Sequence, residues 1–137
     1  MVLSALRDDA LHTRPDGYAL RLSLPWIRSL PLAGLVDPEV RVDGRSLPPT
    51  VMLGDRRVDP GDLTADTRWW HLQDRVVLHL PDAASPGIHE VSVSFRLEVP
   101  YLEGGPDGPL RLPFFFTRRL DTETPTTGVS RDVGSLA

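Results

Sequence analysis

Cysteine and lysine are both absent, and all 15 basic residues are arginine. Without cysteine there are no disulfide staples, zinc–thiolate sites or thiol nucleophiles. Without lysine, Gly104-Gly105-Pro106-Asp107-Gly108 cannot be a phosphate-binding P-loop and reads as a plain loop. No apolar run approaches the length of a membrane span, which argues against a membrane partner. The opening Met1-Val2-Leu3-Ser4-Ala5-Leu6-Arg7-Asp8-Asp9 turns acidic too early for a signal peptide and points to the cytoplasm. The net charge is −4 with no basic patch, which argues against nucleic acid.

What is present is strands and turns. The 137 residues fit one domain, and a hydrophobic content of 40% can fill one core. Fourteen prolines and 11 glycines punctuate short alternating segments. Tyr18, Leu20, Leu22 and Leu24 alternate with Ala19, Arg21 and Ser23, the pattern of a half-buried strand. Val40 and Val42 lead into Asp43-Gly44, a strong hairpin signal, and Gly54-Asp55 marks a second hairpin. Trp69 to Leu72 and Arg75 to Leu80 read as strands joined by a tight turn at Gln73-Asp74. In the second of these, His79 faces away from the core side. Ile88 to Val99 is the clearest element: Val91, Val93, Phe95, Leu97 and Val99 point in. Arg111 to Arg118 is the last strand. About eight strands without a clear helix define an all-β fold, an antiparallel β-sandwich of immunoglobulin-like or jelly-roll-like form. The sandwich domain is expected over residues 1–120. Residues 121–137 read as a Thr/Ser/Gly-rich C-terminal tail that could pack on a partner.

Aromatic placement carries the functional signal. Trp69 and Trp70 are neighbours on a strand and cannot both enter one core. Phe114 and Phe116 share one face, leaving Phe115 on the other. Outward aromatics on a small domain suit a partner surface. The four histidines lack metal-ligand spacing, and His71 alone has an aromatic setting. Most carboxylates sit where turn chemistry explains them. Asp55, Asp59 and Asp62 lack the terminal glutamate of an EF-hand. No catalytic constellation emerges. The candidate residues for a partner interface or substrate-site wall are Trp26, Arg28, Trp69, Trp70, His71, Tyr101 and Phe115.

Three segments together resemble one family. They are Leu24-Pro25-Trp26-Ile27-Arg28-Ser29-Leu30-Pro31-Leu32 with Val36 to Gly44, then Arg68-Trp69-Trp70, then Gly87 to Leu97 with Pro100-Tyr101-Leu102. Their order and spacing resemble the small β subunit of bacterial C-glycoside deglycosidases, over about Gly17 to Arg119. The resemblance implies a partner, a TIM-barrel α subunit similar to sugar-phosphate isomerases. That subunit would hold a divalent metal, usually manganese, and the acid/base residues. The substrate implied is a 3-oxo-C-glucoside of an aromatic aglycone such as a flavonoid or anthraquinone. Its C–C bond offers no leaving oxygen to protonate, so the two-carboxylate glycosidase route fails. A ketone at C3 acidifies the C2 proton, and removing it lets the aglycone leave by elimination, with the metal steadying the enolate. No catalytic residue or cofactor is carried onto this chain. A stand-alone carbohydrate- or protein-binding module is the reading left open beside it.

Overall fold

The unbroken alternation from Val91 to Val99 builds the longest strand, and the rest of the molecule is arranged around it. The computed structural model describes residues 4–103, 108–125, 132 and 133, with backbone only for 101–103. Eleven strands lie among them: β1 (Leu11–Arg14), β2 (Gly17–Ser23), β3 (Leu30–Pro31), β4 (Leu35–Val42), β5 (Arg45–Leu47), β6 (Thr50–Leu53), β7 (Arg56–Val58), β8 (Trp69–Trp70), β9 (Arg75–Pro81), β10 (Ile88–Glu103) and β11 (Pro109–Asp121). Several are only two to four residues long, so the count exceeds the eight expected. Short 3-10 turns at Leu32–Gly34 and Pro60–Ala65 are the helical elements among the described residues.

The strands form two antiparallel sheets, β1-β2-β9-β6-β7 and β11-β10-β4-β5, with β3 and β8 as a separate pair. This is the immunoglobulin order, A-B-E-D on one sheet and G-F-C-C′ on the other, with β7 as an added edge. One apolar core lies between them. Tyr18, Leu20, Leu22, Leu78 and Leu80 come from the first sheet, and Val40, Val42, Val91, Val93 and Leu97 from the second. Turn chemistry fixes the hairpins. Asp43 and Gly44 both have positive φ (51° and 82°), which suits the tight β4–β5 turn. Gly34 is needed for close approach, because a Cβ there would stand 2.9 Å from the Glu98 carbonyl oxygen.

Three readings of the sequence change. Trp69-Trp70 does not pair with β9 across a tight turn; it pairs with β3, Leu30 opposite Trp70 and Pro31 opposite Trp69. Strands β2 and β9 are not half-buried: Ala19, Ser23, Arg75 and Val77 are buried on the face away from the core. His79 does face away from the core but is buried too. The chain's own ends cover that face. Asp9, just before β1, accepts from Arg75 Nη1 at 2.8 Å. Asp132 accepts from Arg21 Nε at 3.0 Å, and the Val133 amide donates to the Arg75 carbonyl at 2.8 Å, with Val133 itself buried. Residues 126–131 and 134–137 of the expected tail lie outside the described residues.

Candidate functional site

In this strand order the β2–β4 and β8–β9 connections lie at the same end of the sandwich as the close of β10 and the start of β11. Ser23 at the close of β2 faces Arg75 at the start of β9, and Leu35 at the start of β4 faces Leu97 late in β10. Three of the seven candidate residues, Trp26, Arg28 and His71, lie in these connections, and Trp69 and Trp70 form β8 just before one of them. Trp26 is half-buried and packs on the core, and Arg28 is exposed beside it. Trp69 and His71 are exposed. Tyr101 lies on the β10 backbone near this end, and its side chain falls outside the described residues.

Trp70 is a correction. Its side chain is fully buried, and its Nε1–H donates to the Asp74 carbonyl at 3.0 Å, so the indole belongs to the core rather than to the exposed surface. Trp69, on the opposite face of the same short strand, is 53% exposed. Ile27 is 69% exposed and Leu72 46%. The Leu72 amide donates to Ser29 Oγ at 3.0 Å, which holds the two connections side by side. Sequence reasoning missed Ile27 and Leu72; their signal was apolar residues in turn-rich connections. The result is an aromatic and aliphatic end with Arg28 and His71 beside it, a composition suited to a protein partner.

Phe115 stands apart from this end. It is 70% exposed in the middle of β11, on the outer face of the four-stranded sheet. Phe114 and Phe116 turn the other way and stack on Phe95 at 5.7 and 6.3 Å.

The far end of the sandwich holds an ionisable cluster that the sequence did not reveal. His89 Nδ1 lies 2.6 Å from Asp43 Oδ2 and Nε2 lies 2.7 Å from the Ser85 carbonyl, with Ser85 Oγ at 3.4 Å. Tyr18 packs edge-on against the imidazole at 5.4 Å. The hydrogen bond to Asp43 raises the His89 pKa above 6.5, and burial opposes it. The same bond, with the Glu90 amide, lowers Asp43. Serine, histidine and aspartate here follow the order of a catalytic triad. The ring cannot act as one, because Nε2 is turned to the Ser85 carbonyl as a donor and leaves no lone pair for the hydroxyl. The cluster is a structural latch joining the β4–β5 turn to the loop before β10. Among the described residues no three histidine or carboxylate side chains gather to hold a metal ion, and no helix is long and apolar enough to cross a membrane.

Fold and exposed end together define a class: an immunoglobulin-like β-sandwich with an apolar loop end. Known proteins resolve it further. No family model matches the chain. It is 34% identical over 100 residues to the 3'-dehydrocarminate deglycosidase beta subunit of a Microbacterium species, covering 69% of this chain and 75% of that one. It is 31% identical over 98 residues to the C-glycoside deglycosidase beta subunit of Arthrobacter globiformis, covering 67% and 75%. A C-glycoside deglycosidase beta subunit of Microbacterium trichothecenolyticum is 30% identical over 98 residues. The chain belongs to the family of C-glycoside deglycosidase β subunits.

Proposed function

We propose that this chain is the non-catalytic β subunit of a heteromeric C-glycoside deglycosidase and docks on its partner through the loop end. The observation that carries the docking is the exposed set Ile27, Trp69 and Leu72, gathered from two connections and bordered by Arg28 and His71. Rigid aromatics and arginine are the residues that dominate binding energy at interfaces. The family names support the subunit role. In this reading the partner is the TIM-barrel α subunit, and the substrate is a 3-oxo-C-glucoside of an aromatic aglycone. The aglycone leaves by elimination, a lyase reaction. In this reading the divalent metal and the acid/base groups sit on the partner subunit. This chain contributes binding surface and a wall that keeps water from the aglycone side.

The test is co-expression with the TIM-barrel subunit, followed by light scattering and titration. The wild type should form a stable mixed complex. Ile27→Ser with Trp69→Ser should weaken it at least tenfold, about 1.4 kcal/mol, and leave the melting temperature unchanged. A double variant that binds like wild type would remove the loop end from the interface. A wild-type monomer that ignores the barrel subunit would favour the stand-alone binding module.

A further inference from the structure

The outer face of the four-stranded sheet carries a charge pattern that is opposite in sign on either side of a line between two rows of residues. On one side the row is Ser46-Arg41-Ser92-Thr117; on the other it is Glu39-Ser94-Phe115. One row further out, Glu90 and Arg119 stand on the first side and Arg96 and Pro113 on the second. Still further, Asp121 on the first side corresponds to Arg111 on the second. Reflected across the line, Glu39 meets Arg41, Glu90 meets Arg96, Asp121 meets Arg111, Ser92 meets Ser94 and Phe115 meets Thr117. Among these pairs no like charges coincide; the next pair along β4, Asp37 and Asp43, is acidic on both sides, and each is already held within the chain, Asp37 by Arg96 and Asp43 by His89.

Neighbouring arginines on this face find partners within the chain: Arg96 holds Asp37, and Arg111 Nε lies 3.3 Å from Glu98. Glu39 and Arg41 sit next to the line and make no ion pair among the described residues, and both are exposed. Beside them a groove of about 340 Å³ is lined by Glu39, Arg41, Ser92, Ser94, Phe115 and Pro48.

We infer that this face binds a second copy of the chain about a two-fold axis. The axis lies in the plane of the interface, crosses the strands and passes between the Glu39 and Arg41 rows. A two-fold contact is self-complementary, so each residue must suit its counterpart across the axis. An axis in that position sets the strands of the two copies antiparallel. It puts Glu39 of each copy on Arg41 of the other, and Phe115 on the Thr117 methyl. The sheet twist displaces rows least near the axis, so the central pair bears most of the specificity. The contact leaves the loop end free and does not rest on the function proposed above. A single bound sugar on Phe115 would not require the outer charges to oppose one another across the line.

The test is light scattering of the full chain over a dilution series. Wild type should be a dimer that dissociates on dilution. Glu39→Arg places arginines together twice per interface and should shift the midpoint to at least tenfold higher concentration. The double variant Glu39→Arg with Arg41→Glu restores complementarity and should return the dimer. Circular dichroism should be the same in all three. A wild-type monomer throughout the series would overturn the proposal. So would a dimer indifferent to Glu39→Arg, or a double variant no better than the single. Loss of the dimer on Trp69→Ser alone would move the contact to the loop end and also overturn it.

Discussion

On the five-stranded sheet Ser23 and Arg75 meet the chain's own terminal segments, and His79 lies buried against Asp16 of the β1–β2 turn. On the four-stranded sheet Glu39, Arg41 and Phe115 lie in solvent. Both faces alternate charged and small residues along their strands, and both belong to one sandwich. The difference arises from segments far away in sequence. Asp9 and Asp132 bring carboxylates to arginines that would otherwise be wet, and Val133 adds an apolar plug. A buried arginine with a carboxylate partner is a commitment to a closed surface, because removing either partner strands the other charge. An exposed glutamate and arginine two residues apart commit to nothing within the chain and remain available to another molecule.

Arg75→Ala should break the closed face hardest, lowering unfolding stability by about 3–5 kcal/mol as Asp9 loses a buried partner. Urea denaturation reads this directly, and a loss under about 1 kcal/mol would mean the face is open. Val133→Ala should cost about 1–2 kcal/mol if the plug packs as described. A wild-type melting curve would show that the C-terminal segment adds nothing. The latch at the far end joins both sheets and answers to pH. The raised His89 pKa makes its contribution full below 6.5 and lost as pH rises through the folded value. The lowered Asp43 pKa makes its share present above 3.8 and lost as pH falls. The deficit of His89→Gln should therefore be greatest between those values and shrink on the alkaline side, and a deficit that grows with pH would contradict the imidazolium. Phe115→Ser, on the open face, should change monomer stability by less than about 0.5 kcal/mol. A larger loss would place Phe115 in packing rather than in solvent.

Much of this was legible in the sequence where one strand's alternation was sufficient. Val91 to Val99 and Phe114 to Phe116 point as their spacing demands, and Asp43-Gly44 turns as its φ preferences require. Of the two sandwich forms the sequence allows, immunoglobulin-like and jelly-roll-like, the strand order is that of the first. For Trp69-Trp70 the alternation says that one indole must leave the core and cannot say which. The answer comes from Leu30 across the sheet and the Asp74 carbonyl. The closed outer face was invisible for a related reason: Arg75 and His79 look like ordinary surface residues until Asp9, Asp16 and Asp132 arrive. His79 Nε2 ends 3.0 Å from the Asp16 carboxylate, an electrostatic contact more than an aligned hydrogen bond. Asp16 in turn is held at about 2, mainly by Arg57 and then by His79. Ile27 and Leu72 were missed because an apolar residue in a connection signals no more than itself, and its exposure is decided by what lies next to it.

The β10–β11 hairpin has a consequence for the order of folding. Its two strands are neighbours in sequence, joined by a short connection, and pair along nearly their whole length. Closing that loop costs little chain entropy compared with bringing Asp132 to Arg75. Refolding is therefore expected to zip the hairpin first, recruit β4 to it, and close the five-stranded sheet's outer face last. Pulse-labelled hydrogen exchange should find the amides of Val91 and Val93 protected while that of Val133 still exchanges freely.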